Sequence, residues 1–286
     1  MHKTLISAAQ LRQHLDQHAA VRVFDCSFDL GQPSAGLAQY LEQHIPGAVH
    51  ADLNTHLSAL PGDASASGGR HPLPSREAFA AWLADTGLQA GQQVVVYDRQ
   101  GSSFCGRLWW MLKWCGHEAV AVLDGGWAAW RAAGGASEIG PATAIVPKGS
   151  FQLQAALVDV ASAQEMAGAL GSTRQTVVDA RAGARFRGET EPLDPVAGHI
   201  PGALNRPFAD NFTPDGHFKP AAQLRAEWSA VLGGRDPASV IHQCGSGVTA
   251  TPNLLAMEIA GLGRSRLFPG SWSEWCNTPG LPVAQG

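Results

Sequence analysis

Charge is scarce in this chain and nowhere concentrated. Asp, Glu, Lys and Arg make up 15% of its 286 residues, the formal net charge is −4, and no basic run appears. Proteins that grip nucleic acid or an anionic membrane carry such a run, so neither is expected as a partner. Long apolar stretches are missing too: none approaches the ~18 residues with which a helix crosses a bilayer. The opening Met1-His2-Lys3-Thr4-Leu5-Ile6-Ser7 turns polar before a secretory apolar core forms, so a cytoplasmic protein is expected. Paired cysteines are absent as well. Cys26, Cys105, Cys115, Cys244 and Cys276 contain no Cys-x-x-Cys, and no His/Cys set has zinc-finger spacing. That excludes the familiar zinc modules. An odd number of cysteines without a leader points to free thiols in a reducing compartment, four of them expected as buried apolar residues.

What is present is apolar bulk, 45% of the chain. The length favours two domains of about 140 residues each. Ser7-Ala8-Ala9-Gln10 has the form of a capping box opening a helix, and Val21-Arg22-Val23-Phe24-Asp25 alternates like a strand ending in an acid. A helical stretch follows and stops near His44-Ile45-Pro46-Gly47-Ala48. Residues 76–85 read as another helix, 93–97 as a buried strand, 108–115 as a Trp-rich helix and 119–123 as a strand closed by Asp124-Gly125-Gly126-Trp127.

The second half repeats the first. Ser162 matches Ser7 (162 − 7 = 155) in a second capping box, Asp179 matches Asp25 (179 − 25 = 154), and His199-Ile200-Pro201-Gly202-Ala203 matches His44 to Ala48 (199 − 44 = 155). Cys244 falls on Asp98 (244 − 98 = 146), and Trp272 of Phe268-Pro269-Gly270-Ser271-Trp272 falls on Trp127 (272 − 127 = 145). Five landmarks in one order mark a tandem duplication, and the drop of about nine in offset is a difference in one loop. The expected fold is α/β, each copy a mainly parallel sheet flanked by helices on both faces. The copies are expected over 1–135 and 153–286, joined by a linker at 136–152. Trp109, Trp110, Trp127, Trp130, Trp272 and Trp275 are expected in the cores, with Ser271 and Trp272 near a pocket mouth.

Chemistry concentrates in Cys244-Gly245-Ser246-Gly247-Val248-Thr249-Ala250. The apolar run 239–243 precedes it and the apolar segment 253–260 follows, which reads as strand, tight loop and helix. Ligands on open α/β sheets sit beyond the carboxyl ends of strands. A cysteine there meets loop N–H groups and the positive end of a helix, and both favour the nucleophilic thiolate. Gly245 and Gly247 let the backbone curl around an anion carried on the sulfur. The first copy has Asp98 instead, which cannot pass on a sulfur atom, so that copy is expected to be non-catalytic and its Asp98-Arg99 to form a local ion pair.

Over nearly its full length the chain resembles the tandem-domain rhodanese superfamily. The resemblance rests on the two His-Ile-Pro-Gly-Ala elements, the Leu123-Asp124-Gly125-Gly126-Trp127 turn and the Cys244 loop, and it implies two rhodanese-like domains. The loop is similar to that of 3-mercaptopyruvate sulfurtransferases; relatives preferring thiosulfate carry Arg and Lys where this chain has Gly245 and Ser246. It implies a ping-pong reaction. Cys244 takes a sulfane sulfur from 3-mercaptopyruvate or thiosulfate, holds it as a persulfide, and hands it to cyanide, a thiol or a protein acceptor. No metal and no organic cofactor is implied. Thiosulfate as the main donor, or a persulfide carrier without a dedicated small donor, are the alternatives. By the resemblance Arg185, before Phe186, binds the donor's anionic group, a task a guanidinium suits, while Arg181 pairs with a nearby acid to fix its loop. Gly245, Gly247, Val248, Thr249 and His71 complete the expected substrate-binding set. A second arginine of the family, before the His-Ile-Pro-Gly element, has no match in residues 190–198. Ser246 is the candidate for hydrogen-bonding the thiolate or protonating the leaving enolate. The histidine that relatives pair with this serine matches His71, but the acid position is Asn54, with Asp52 two residues before it, so His71 is expected as a polar contact between the copies rather than part of a full relay. His44 and His199 are expected to be structural. A cysteine phosphatase needs an arginine six positions after its cysteine, where this chain has Ala250.

Overall fold

The computed structural model describes residues 1–17, 19–141 and 147–286. They divide into two compact units. One comprises Met1–Ala64, Pro74–Leu157 and Pro214–His217; the other comprises Ser65–Leu73, Val158–Thr213 and Phe218–Gly286. Residues 142–146 of the expected linker lie outside the described residues.

In the first unit β1 (Leu5–Ile6) leads into α1 (Ala8–Asp16). The capping box forms as its sequence predicts: Ser7 Oγ accepts the Gln10 N–H, and the Gln10 side chain accepts the Ser7 N–H. Then come β2 (Val21–Asp25), α2 (Ser34–Glu42), β3 (Val49–His50), α3 (Arg76–Asp85), β4 (Gln93–Tyr97), α4 (Cys105–Trp114), β5 (Val120–Leu123) and α5 (Gly126–Ala132). Among the described residues the strands form a five-stranded sheet ordered β1-β5-β4-β2-β3, every pair parallel. Val94, Val95, Val96 and Tyr97 of β4 are all fully buried, as a central parallel strand covered on both faces requires. The Trp-rich helix begins at Cys105, three residues before the predicted Leu108. Asp98 accepts the N–H groups of Phe104 and Cys105 and so satisfies the extra turn.

The second unit has α6 (Ala163–Gly168), β6 (Thr176–Asp179), α7 (Gly183–Phe186), β7 (Leu204–Asn205), α8 (Ala221–Leu232), β8 (Val240–Gln243), α9 (Thr251–Ile259), β9 (Arg266–Leu267) and α10 (Ser271–Trp275). Its sheet is ordered β7-β6-β8-β9, again parallel throughout, and a parallel bridge from Val160 to Leu267 stands where β1 pairs with β5. Read from its other edge this is the first unit's order, so the duplication is structural as well as sequential. The second capping box is only half made. Ser162 accepts the Glu165 N–H, but the Glu165 carboxylate goes to Arg266, at 2.6 and 2.8 Å. A two-point ion pair with a guanidinium outcompetes a single backbone N–H.

Both histidines of the repeated element are structural. His44 Nδ1 meets Tyr40 O at 2.9 Å and its ring stacks on Tyr40; His199 Nδ1 meets Phe186 O at 2.8 Å and its ring stacks on Phe186. Five of the six tryptophans are fully buried, with Trp127 half-buried. All five cysteines are free, and Cys276 is half-buried rather than buried.

Candidate active site

β8 delivers Cys244 to the carboxyl end of the second sheet, where it is 1% exposed. The loop to α9 curls because Gly247 has φ +73°, and a Cβ there would lie 2.1 Å from Pro269 O, so only glycine fits. Gly245 is different. Its φ is not in the left-handed region, and the three atoms nearest to a Cβ there would be guanidinium nitrogens, Arg70 Nη2 at 3.4 Å and Arg185 Nη1 and Nη2 at 3.6 and 3.7 Å. Gly245 therefore keeps space beside the cysteine instead of shaping the turn. Val248 is buried and Thr249 half-buried.

The first turn of α10 fixes the loop from behind. Ser271 Oγ accepts the Cys244 N–H at 3.0 Å and donates to Phe268 O, while the N–H groups of Trp272 and Ser273 reach Cys244 O and Gly245 O. Ser271 and Trp272 thus support the loop backbone. Trp272 is completely buried, and its Nε1–H donates to Val196 O.

His71 Nδ1 lies 2.7 Å from Ser246 Oγ, both side chains buried. His71 comes from Ser65–Leu73, a piece of the chain's first half that belongs to the second unit. The contact predicted to join the copies is therefore made inside one unit. Glu274 Oε2 accepts the Gly68 N–H, Ser273 Oγ accepts the Arg70 N–H, and Gly69 lies so near Gly270 O that a Cβ would sit 2.5 Å away. Asp52, weighed as a third member of a relay, accepts the N–H groups of Asn54 and Thr55 and the Thr55 hydroxyl.

Around Gly245 lies an alternating charge network. Arg181 chelates Asp179, with Nη2 2.6 Å from Oδ2, and also reaches Glu191, so it fixes its loop as its sequence predicts. Arg185 pairs with Glu191 at 2.6 Å and lies 3.6 Å from Asp194, which holds Arg70 at 2.7 Å. Burial pushes the Glu191 carboxyl up, but hydrogen bonds from Arg185 and from the Leu193 and Asp194 N–H groups outweigh it and leave the group below its ordinary value. Arg187 points away into an exposed pair with Glu189.

The expected Asp98–Arg99 pair does not form. Asp98 Oδ1 accepts the N–H groups of Gln100 and Ser102, and Oδ2 those of Phe104 and Cys105; burial raises its pKa, and these four bonds oppose the rise. Arg99 turns instead to Asp25, at 2.7 Å. Four saturated donors in the low-dielectric interior outweigh a pair with the adjacent residue. Burial also raises the pKa of the Cys26, Cys105, Cys115 and Cys276 thiols, Cys115 to about 11, which keeps these four protonated and poorly nucleophilic. Among the described residues no group of three His, Cys, Asp or Glu side chains is placed to hold a metal ion.

The model of the rhodanese-like domain matches the sequence twice, over residues 7–133 and 162–278. The chain belongs to the rhodanese-like family. A Pseudomonas aeruginosa protein named probable 3-mercaptopyruvate sulfurtransferase is 46% identical over 99% of this chain and 98% of its own length. A Mycobacterium tuberculosis protein named putative thiosulfate sulfurtransferase is 40% identical over the same shares. Among solved structures, that of an Escherichia coli protein titled for the fold and mechanism of 3-mercaptopyruvate sulfurtransferases superposes with TM-score 0.79 at 31% identity, covering 95% of this chain and all of its own. Within this rhodanese-like chain, Cys244, Gly245, Ser246, Gly247, Arg185 and His71 are gathered in the second unit. Sequence reasoning left out Arg70, although it stands beside His71, and placed Ser271 only at a pocket mouth. Among the described residues no helix is long and apolar enough to cross a membrane.

Proposed function

We propose that the chain is a sulfurtransferase that moves a sulfane sulfur from 3-mercaptopyruvate to cyanide, a thiol or a protein acceptor through a persulfide on Cys244. The observation carrying this reading is the composition of one small site: a buried cysteine on a strand-end loop, a serine two residues on in a 2.7 Å contact with His71, and guanidiniums at the intervening glycine. The names of the similar proteins agree with it.

The Cys244 thiolate attacks the donor sulfur and a sulfur–sulfur bond forms. The donor's carbon–sulfur bond breaks, and its electron pair leaves on carbon as the enolate of pyruvate. That carbon takes up one proton in exchange for the one lost from the donor thiol. Ser246, backed by His71, is positioned to carry it, a hydroxyl–imidazole pair being able to move a proton at neutral pH. The persulfide anion lies at the curled loop, whose N–H groups and adjoining helix α9 favour negative charge. Cyanide then attacks the outer sulfur; thiocyanate leaves and the thiolate returns. Arg185 holds the donor's carboxylate, and Val248 and Thr249 line the same loop. The first copy serves as a non-catalytic partner, since its loop is filled by Asp98. Five free thiols suit a reducing compartment, the cytoplasm.

The Mycobacterium relative's name favours thiosulfate as a second reading. A side-by-side kcat/KM for the two donors, with cyanide as acceptor, decides. A higher value for 3-mercaptopyruvate is expected, with mass spectrometry showing Cys244 one sulfur heavier after donor alone. A higher value for thiosulfate would reverse the assignment. A persulfide formed from neither donor would leave only a carrier.

A further inference from the structure

We propose that His2 and His14 form a two-imidazole binding site in the first unit for a divalent transition metal such as Zn2+, Ni2+ or Cu2+; this assignment does not depend on the sulfur-transfer reading. The side chains meet nitrogen to nitrogen. His14 Nε2 lies 3.4 Å from His2 Nε2, and the rings stand at 86° to each other. As a hydrogen bond that spacing is long, since N–H donors in proteins usually sit about 2.7–3.2 Å from their acceptors. As two corners of a metal site it fits. Zinc binds imidazole nitrogen at about 2.0–2.1 Å, and two such bonds at the tetrahedral angle of about 109° hold their nitrogens about 3.3–3.4 Å apart.

The fold sets the pair in place. His14 stands on the last turn of α1. His2 is held through its backbone: the Gln93 side chain, at the start of β4, accepts its N–H at 2.8 Å and donates to its carbonyl at 3.0 Å. The His2 ring also hydrogen-bonds the Leu5 backbone, so it is fixed on a second side, as imidazole ligands of metals usually are. Ligands that already stand in place lose less entropy on binding. Burial lowers the His2 pKa, and the Met1 α-ammonium and His14 push the same way, which keeps the ring in the neutral form that coordinates metals. A metal takes the place of the proton between the two Nε2 atoms, and the ring that carried it there carries it on Nδ1 instead. Among the described residues no third His, Cys, Asp or Glu completes a metal-binding group, so water fills the remaining positions. Imidazole donors suit zinc, nickel and copper, whereas calcium and magnesium take oxygen. With two protein ligands the metal exchanges readily, unlike that of a closed four-ligand structural site, and while bound it ties the approach to β1 onto α1.

The test is calorimetric titration of the full, tag-free chain with Zn2+, set beside His2→Ala, His14→Ala and His217→Ala. The parent should take up a single Zn2+ at this site, and each of the first two variants should bind at least about tenfold more weakly, because one of two imidazole donors is gone. Both should still fold, since Gln93 holds the His2 backbone and not its ring. His217→Ala removes a different part-exposed histidine beside a carboxylate, Asp124, and should bind as the parent does. Added Zn2+ should raise the thermal unfolding midpoint of the parent by mass action and leave that of His2→Ala and His14→Ala unmoved. Co2+ in place of Zn2+ should give visible d–d bands without sulfur-to-cobalt charge transfer, which separates imidazole binding from capture by a thiolate. No Zn2+ uptake, uptake that survives either His2→Ala or His14→Ala within about twofold, or a thiolate signature in the cobalt spectrum would each overturn the assignment.

Discussion

In the first copy a guanidinium rests on the Asp25 carboxylate, covers the Trp127 ring with its carbon 4.7 Å from the centroid, and reaches Gln43 O. In the second copy a guanidinium rests on Asp179, covers Trp272 at 4.6 Å, and reaches Gly198 O. The partners are the matched residues of the repeat, but the arginine is not. Arg99 follows Asp98 in the loop, whereas Arg181 comes from the end of β6. The position after Cys244 is thereby relieved of a structural duty and is glycine, and Arg70 and Arg185 close on the space. The head of each loop differs in the same sense. Asp98 saturates four N–H groups of its own loop, a covalently fixed carboxyl in the place where the second copy carries a sulfur atom. A loop built to receive a charge has to be left open, and its supports are moved elsewhere in the chain.

The sharpest way to break this comparison is to alter the head residue of each loop. Cys244→Ala should lower sulfur transfer at least about 10³-fold, since no other group supplies the nucleophile, while costing about 1 kcal/mol of stability for a small buried truncation. Retained turnover would remove Cys244 from the reaction. Asp98→Ala should do the opposite kind of damage. It strands three buried N–H groups and a part-buried one and uncaps α4, so urea unfolding should show a loss of about 3–5 kcal/mol. A loss under about 1 kcal/mol would mean that the carboxylate does not hold the first loop.

The duplication was legible because hydrophobic period and turn residues recur together, and the parallel sheets follow from strands alternating with helices. What stayed hidden is whatever depends on which segments meet in space. Adjacency suggested an Asp98–Arg99 pair, but Asp98 points into its loop and Arg99 outward to Asp25. Arg70 was invisible because 175 residues separate it from Gly245 (245 − 70 = 175), and its placement follows from Glu274, Ser273 and Gly270 gripping residues 68–70. The half-made capping box at Ser162 failed for a similar reason, an arginine on β9 claiming Glu165. One difference was readable in the aligned copies and carries a role: Gly126 in the first is Ser271 in the second (271 − 126 = 145).

That substitution gives the smallest predicted effect. Both residues have φ +55°, a left-handed conformation natural to glycine and costly, about 1 kcal/mol, for serine. In both copies the next residue, Trp127 or Trp272, donates its N–H to the carbonyl of the loop head, Asp98 or Cys244, so the backbone turn needs no hydroxyl. Serine persists at the strained position because its hydroxyl accepts the Cys244 N–H at 3.0 Å. Ser271→Gly relieves the strain, adds glycine's unfolded-state entropy and gives up two hydrogen bonds of about 1 kcal/mol each, from the Cys244 N–H and to Phe268 O, so net stability should fall by about 1–2 kcal/mol. Activity should respond as well. With its N–H unheld the Cys244 backbone can shift, and kcat for persulfide formation should fall about three- to tenfold with KM little changed, because misplacing the nucleophile costs orientation and not donor binding. Gly126→Ser, the reverse swap, should be destabilising without any gain, since a Cβ there meets Asp98 O at 2.5 Å and the Asp98 loop has no nucleophile for a hydroxyl to position. Equal kinetics in Ser271→Gly and the parent would reduce Ser271 to a tolerated accident of the repeat.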